Sequence, residues 1–252
     1  MNTLETIRAF KMYRGRVQDR RLEDGDLHTI IDAARWAPSG HNSQPWEFLV
    51  VDERDTIGEI AAIATRNFDE FIAHGAHLMT WARNFHHWLR WSREELEARG
   101  DGIYFQRWTQ QEWDELAGLT DEHAIRERMA SMFGSKGESA THIRTAPCLI
   151  FTLLNTSRKV PDYSDELLAL TSAGAAMQNI RLAAYELGIA VHEQSLLYDL
   201  PETRKAIGNL LGVPDHVRIV GGMRAGYRAG TARSSFTNVR RPVSALLHRN
   251  RF

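Results

Sequence analysis

The sequence contains a single cysteine among its 252 residues, which excludes two kinds of stabilising cross-link. One cysteine cannot form an intrachain disulfide or a multi-cysteine zinc site. Cys148 lies within the apolar run APCLIFTLL, which is typical of a buried core thiol. The neighbours His86 and His87 do not make a metal site either, because adjacent side chains on a helix diverge by about 100°. The sequence therefore predicts no bound metal.

Neither sign of charge is in excess, and long apolar segments are missing. The chain has 31 Lys and Arg against 32 Asp and Glu, a formal net charge of −1. It lacks the clustered positive charge by which proteins bind nucleic acid. No run is long and apolar enough to span a bilayer, and the first residues, MNTLETIRAFKMYRGR, contain no apolar signal core. We expect a cytoplasmic protein that binds neither nucleic acid nor membranes.

Motifs for several common chemistries are also absent. The sequence has no Walker loop, no G-x-G-x-x-G segment and no G-x-S-x-G nucleophile motif. Gly221, Gly222 and Gly226 follow an apolar run, but their spacing is not that of a dinucleotide-binding loop. The sequence alone thus assigns no catalytic residue.

Hydrophobic periodicity predicts helices alternating with strands. Apolar residues at helical spacing predict helices over 3–14, 26–36, 55–66, 165–187 and 201–212. Short apolar runs predict strands over 48–51, 146–154, 189–195 and 217–223. This order is typical of an α+β domain, of the layered α/β type, built around a central sheet.

Residues 68–140 differ from the rest of the chain in their density of tryptophan. Five of the seven tryptophans lie there, among strongly charged stretches that predict two or three amphipathic helices. The segment is interpreted as a helical insertion. Its tryptophans either bury large areas and hold the helices on the sheet, or some of them, Trp88 and Trp108 first, line a pocket and stack on a planar substrate.

The loop WAPSGHNSQPW, residues 36–46, is the most informative segment. It joins a predicted helix to a predicted strand, and its polar residues carry the donors and acceptors that a planar polar ligand needs. Gly40 can adopt backbone angles that are closed to other residues. The alternative is an ordinary connector, because loops are built from the same residue types. The candidate ligand-binding residues of this loop are Pro38, Ser39, Gly40, Asn42 and Gln44.

The pattern A-P-S-G-x-N-x-Q-P-W followed by F-L-V-V resembles the first flavin-contacting motif of the nitroreductase superfamily. The resemblance implies an FMN-dependent oxidoreductase that uses NADH or NADPH, and a homodimer in which two subunits build each flavin pocket. It also implies a mixed central sheet flanked by helices. We expect a single nitroreductase-like domain over 1–252, with 68–140 as a helical insertion within it, for which an active-site lid and a purely structural role are the two alternatives.

Basic residues near both ends resemble the family's phosphate contacts. In KMYRGR, Lys11 and Arg14 match two positions of R-R-x-x-R and would share one face if this segment were helical. Phe10 stands where the first arginine usually is, so Arg8 or Arg16 is the alternative there. Near the other end, Arg241 is the favoured phosphate ligand and Arg240 its alternative. A solvated basic face is the competing interpretation of the N-terminal cations.

The segment GIAVHEQSLL, residues 188–197, resembles the family region that passes under the flavin ring. Glu193 and Gln194 are therefore candidate cofactor contacts. His192 is a candidate for substrate binding, although a histidine beside a strand is more often structural. Asn67 resembles a family asparagine near the pyrimidine edge of the flavin.

The resemblance favours one reaction and leaves two alternatives. In the favoured one, NAD(P)H reduces the flavin, which then reduces an aromatic or conjugated acceptor such as a nitro compound or a quinone, with water as the proton source. The second is a flavin-dependent dehydrogenase or reductive dehalogenase acting on a specialised small molecule. The third is a non-catalytic flavin-binding protein.

Overall fold

The computed structural model describes residues 2–73, 118–119, 121, 123–124, 127, 137–158, 166–230 and 243–251. The helices are α1 (Thr3–Ala9), α2 (Asp24–Arg35), α3 (Arg54–Ala73), α4 (Glu138–Arg144), α5 (Leu167–Glu186) and α6 (Pro201–Leu210). The strands are β1 (Trp46–Val51), β2 (Cys148–Asn155), β3 (Ile189–Glu193) and β4 (Val217–Tyr227). Short 3-10 turns occur at Gly40–Asn42, Thr156–Arg158, Ser195–Leu197 and Val243–Ala245.

The chain divides into two compact units. The first comprises 1–69 and 132–234, and the second 70–131 and 235–252. The first unit contains the sheet and every predicted site residue that the structure describes. In the described part of the second, His123 Nε2 lies 3.4 Å from a carboxylate oxygen of Glu127, one helical turn away. The single-domain assignment and the lid role of 68–140 stay predictions.

The four strands form one sheet in the order β1-β2-β4-β3. All three pairings are antiparallel, so a mixed sheet would need a further strand, and no described residue supplies one. The register shifts between Thr152 and Leu153, opposite one extra residue in β4, Val220, which marks a bulge in β4. This order puts β1 and β3 at opposite edges.

One face of the sheet packs against α2 and α5. Its core includes Ile30 of α2, Ile180 of α5, and Ile150 and Met223 of the sheet. The buried face of α5 includes the small residues Ala173, Ala176 and Ala184. Cys148 belongs to this core and is 1% exposed. The prediction of a buried thiol is confirmed, and burial raises its pKa to about 12.

The opposite face packs against α3, α4 and α6. Its core includes Ile60 of α3, Ile143 of α4, Ile207 of α6 and Phe151 of β2. The first unit is therefore a helix–sheet–helix arrangement, and the predicted layered α+β class is confirmed. Among the described residues, no helix combines the length and the hydropathy that a membrane span requires.

Several element boundaries differ from the sequence prediction. The first helix ends at Ala9 and not at residue 14, because Phe10 has an extended backbone with ψ 131° and ends the run of helical hydrogen bonds. The helix predicted over 55–66 runs on to Ala73, and the last strand continues past Met223 to Tyr227. The predicted helix over 165–187 is close to the observed α5.

Candidate functional site

The loop between α2 and β1 has an unusual backbone. His41, Asn42 and Gln44 have φ values of 52°, 54° and 46°, in the left-handed region that side-chain-bearing residues seldom adopt. Gly40, which the sequence marks as the conformationally free residue, does not have a positive φ. Strain of this kind persists only where surrounding contacts enforce it, and it is concentrated at functional sites.

Side chains of the loop hold this conformation. Ser39 Oγ accepts a hydrogen bond of 3.0 Å from the backbone N–H of Gln44. The Gln44 side-chain amide donates to Asn42 Oδ1 at 3.2 Å. Asn42 is exposed, and Ser39 and Gln44 are half-buried. The predicted ligand-binding side chains thus form one network that presents amide groups at the surface.

The loop is anchored to the edge of the sheet. The Pro45 carbonyl accepts a 2.7 Å hydrogen bond from the N–H of Asn155 at the end of β2. Arg158 Nε donates to the Ser43 carbonyl at 3.3 Å. Trp46, which opens β1, is buried. The loop is consequently attached to a rigid support on the side of β1 and β2.

The N-terminal basic segment lies at the other edge of the sheet. The N–H of Tyr13 donates to the carbonyl of Val191 on β3 at 3.2 Å, and Phe10 packs edge-on against Tyr185, with centroids 6.2 Å apart. Since this segment is not helical, Lys11 and Arg14 do not share a helical face. Lys11 is exposed and Arg14 is half-buried.

Next to this segment lies a set of polar side chains, which we call the buried polar cluster: His192 on β3, Gln194 directly after β3, Arg224 on β4 and the half-buried His142 of α4. Gln194 Nε2 lies 2.8 Å from His192 Nδ1. Arg224 is directly opposite His192 in the β3–β4 register, so both side chains project from the same face. The His142 ring meets the His192 ring edge-on, with centroids 5.3 Å apart.

Electrostatics keep His192 uncharged. Burial and then the nearby positive charges of Arg14 and Arg224 lower the pKa of His192 to about 3. An amide nitrogen can only donate, so Nδ1 accepts from Gln194 and the neutral ring carries its proton on Nε2. His192 is therefore a hydrogen-bond donor of fixed tautomer at neutral pH.

Glu193 and Asn67, two other candidate cofactor contacts, make hydrogen bonds to residues of the protein itself. Glu193 accepts from Arg181 Nη2 at 2.6 Å and from the N–H of Gly222 at 3.3 Å. Asn67 donates its side-chain amide to Thr203 Oγ1 at 3.3 Å, which links α3 to α6. These bonds stabilise the scaffold around the cluster.

The structure brings the predicted residues together in two groups. One is the loop 38–44, and the other is Arg14 with His192 and Gln194. In the sheet register, Trp46 on β1 is opposite Leu154 on β2, which is in turn opposite Arg218 on β4. At the other edge, His192 on β3 is opposite Arg224 on β4. Three strand spacings and about six residues of rise therefore separate Trp46, at the end of the loop, from His192 by roughly 25 Å in one protomer. Trp88, Trp108, Arg240 and Arg241 lie outside the described residues.

Two members of the cluster, Arg224 and His142, were missed by the sequence analysis. Arg224 interrupts the apolar second half of the strand VRIVGGMRAGY, and a fully buried arginine is rare. That interruption was the available signal. His142 offers no comparable signal, since it is one of eleven histidines in the chain and belongs to no recognisable motif.

Comparisons with known proteins agree on one family. The model of the Nitroreductase family matches residues 7–227. A 4-nitrobenzoate reductase of Nocardioides sp. is 27% identical over 244 residues, which cover 89% of this chain and 82% of that protein. A protein of Archaeoglobus fulgidus named for NADH dehydrogenase and NAD(P)H nitroreductase is 34% identical over 65 residues, 26% of this chain but only 35% of its own length.

Solved structures support the same fold. The NADPH:FMN oxidoreductase of Vibrio harveyi, complexed with NAD+, has a TM-score of 0.62 and 16% identity. The match covers 100% of this chain and 78% of that one. At this identity the likeness concerns the fold.

Proposed function

This chain belongs to the nitroreductase family, and from that premise we propose that it is an FMN-dependent NAD(P)H oxidoreductase. Its acceptor would be a small aromatic or conjugated molecule, a nitroaromatic first. The observation that carries the proposal is the loop 38–44. Its backbone is held in left-handed conformations that present the amide groups of Asn42 and Gln44.

The chemistry of the available groups fits FMN. A phosphate prefers guanidinium donors, which bind it with charge and geometry together, and Arg14 is a half-buried guanidinium. The ring edge and the ribityl chain need neutral donors and acceptors, which Asn42, Gln44 and the Nε2–H of His192 offer. Arg241 or Arg240, in the C-terminal tail, would complete the phosphate site.

When bound, FMN supplies the two-electron redox chemistry that links NAD(P)H oxidation to reduction of the acceptor. The protein holds and orients it. His192 donates a hydrogen bond but is no acid at neutral pH, since its pKa is about 3. Cys148 is buried with a pKa of about 12, so it supplies no thiolate. Water is therefore the proposed proton source.

The separation of the two groups of site residues supports the proposal that a second copy of the chain completes the site. A ligand that touches the loop 38–44 and Arg14 of one protomer would have to bridge roughly 25 Å. A homodimer removes this difficulty, because the loop of one copy can meet Arg14 of its partner. We therefore propose a homodimer whose flavin sites lie at the interface.

Exposed apolar residues on the first unit are consistent with such an interface. Trp36, the first residue of the segment 36–46, is 72% exposed, and it lines a cavity of about 460 Å³ with residues of α1 and α5. Monomeric proteins rarely expose large apolar patches. Further exposed apolar residues on α1 and α5 are Leu4, Ile7, Leu167, Leu168 and Leu170.

The test begins with the absorbance spectrum of the purified protein, followed by anaerobic addition of NADH and, separately, NADPH. We expect a yellow protein that one of them bleaches, and reoxidation by 4-nitrobenzoate but not by benzoate. A colourless protein that takes up no FMN would refute the proposal. Bound flavin that neither nucleotide bleaches would favour the dehydrogenase or dehalogenase alternative, and bleaching without any acceptor turnover would favour a binding protein.

A further inference from the structure

Arg224 is a charged side chain in the interior of β4. It is 2% exposed, and its neighbours across the sheet are His192 on β3 and Leu149 on β2. Burying a guanidinium is costly unless it is paired and hydrogen-bonded. Its partners therefore indicate what the residue does.

The partners lie on either side of Arg14. Arg224 Nη2 donates to the carbonyl oxygen of Tyr13 at 3.1 Å and to that of Gly15 at 2.8 Å. Tyr13 also donates its N–H to Val191 on β3. The backbone before and after Arg14 is thus tied to two neighbouring strands, although the segment itself has no regular secondary structure.

We propose that Arg224 is a positioning residue for phosphate recognition: by donating to the carbonyl oxygens of the residues before and after Arg14, it fixes the position from which Arg14 meets the phosphate of FMN. The inference rests on the proposed function, in which Arg14 binds that phosphate. A pre-organised donor binds more tightly than a mobile one, because less conformational freedom is lost on binding.

A second observation links Arg224 to the same place. Arg224 and Arg14 both act on His192 and favour its neutral form, so the two guanidinium groups contribute positive potential to one small region. Phe10, which takes the place of the family's first arginine, packs against Tyr185 and brings no charge. In this chain, β4 supplies a second guanidinium to the segment that contains Arg14.

The role is tested by comparing FMN with riboflavin, which differs only in lacking the phosphate. Dissociation constants are measured by quenching of flavin fluorescence for the wild type, R224M and R224K. We expect R224M to weaken FMN binding by about tenfold or more, equivalent to one well-formed charged hydrogen bond, and riboflavin binding by much less. R224K keeps a charged donor, so it should also weaken FMN binding, but by less than R224M does.

A double variant shows whether Arg224 acts through Arg14. In an R14A background, R224M should cause no further loss of FMN affinity, because the group that it positions is gone. The matched control is R218M, on the same strand but with an exposed side chain that pairs with Glu166. This variant should bind both flavins as the wild type does.

Each outcome decides a different question. Equal losses for FMN and riboflavin, or a full R224M effect in the R14A background, would overturn the positioning role. A wild-type protein that binds neither flavin would instead refute the proposed function. If R224M does not fold, as judged by its circular dichroism and thermal transition, R224K carries the same comparison.

Discussion

Gln194 Nε2 lies 2.8 Å from Nδ1 of His192, and both side chains are buried beside Arg224. This bond sets the tautomer of the imidazole, and the two arginines oppose its protonation. His192 lies on β3 and Gln194 directly after it, next to the segment that contains Arg14. His192 is therefore a neutral hydrogen-bond donor that lies next to two cations, Arg14 and Arg224.

Stability should fall in acid because His192 is kept neutral. Its pKa is about 3 in the folded protein against an ordinary 6.5, so the unfolded chain binds more protons between these values, and stability is lost as pH falls from 6.5 towards 3. The slope from one such site is at most about 1.4 kcal/mol per pH unit. Urea unfolding at pH 7.5, 5.5 and 4.5 should show a shallower decline for H192Q than for the wild type. H28Q, at an exposed position on α2, should decline as the wild type does.

Replacing Arg14 by Ala should weaken FMN binding. A charged hydrogen bond to phosphate is worth about 1.5–3 kcal/mol, or roughly ten- to a hundredfold in affinity. K11A is the comparison, and its effect should be smaller because Lys11 is exposed and does not share a face with Arg14. Equilibrium dialysis against FMN gives both values. Unchanged FMN content in R14A would refute the proposal that Arg14 binds the phosphate of FMN.

Substitutions at Asn42 separate its backbone from its side chain. N42G should lose only a little thermal stability, because it gives up the exposed bond from Gln44 but glycine adopts φ 54° without strain. It should lose FMN affinity, because the side-chain amide is gone. N42A should lose affinity and also about 1 kcal/mol of stability, since alanine disfavours this conformation. Melting curves and FMN titrations distinguish the two. Equal flavin affinity in N42G and the wild type would show that the side chain is not a contact.

The ion pair between Arg181 and Glu193 should matter for stability mainly because the loss of one partner leaves the other as an unpaired, largely buried charge. Both side chains are 17% exposed, with Nη2 and Oε2 2.6 Å apart. R181M should lower the free energy of unfolding by up to about 3–5 kcal/mol, because it leaves a mostly buried carboxylate. The double variant R181M/E193Q should recover much of that loss in urea denaturation. A double variant as unstable as the sum of both single ones would contradict this reasoning.

A charge on α5 should break the proposed homodimer. L168E places a carboxylate on the exposed apolar part of α5. Light scattering after gel filtration should therefore show the mass of a monomer, and a separate FMN titration should show reduced affinity. L210E is the control, at an exposed leucine on α6, and it should leave the mass unchanged. A monomeric wild type that still binds FMN would refute the interface proposal.

The hydrophobic pattern of the sequence correctly predicts the central strand β2 and the long helix α5. The strand predicted over 146–154 is found at Cys148–Asn155, and the long helix at Leu167–Glu186, because both are continuous apolar or strongly periodic runs. The first helix was predicted too long, because periodicity continued past Phe10 while the backbone paired with β3. That pairing is a tertiary contact, which periodicity does not encode.

The site was predicted in part. Residues of the loop 38–44 do form one network, but the left-handed conformations fall on His41, Asn42 and Gln44 and not on the glycine. Arg224 could not be placed from the sequence, since its role depends on the strand register that sets it opposite His192. Register between distant strands is decided by packing, beyond the reach of spacing along the chain.

The hydrogen bond from Tyr13 to Val191 has a consequence beyond ligand binding. β3 is an edge strand, and an open strand edge is a template on which other chains add and aggregate. The N-terminal segment covers part of that edge, and the bridge between Val17 and Arg228 continues the cover onto the end of β4. Removing the first eighteen residues would uncover this edge, so a shortened chain would be prone to self-association as well as deprived of Arg14.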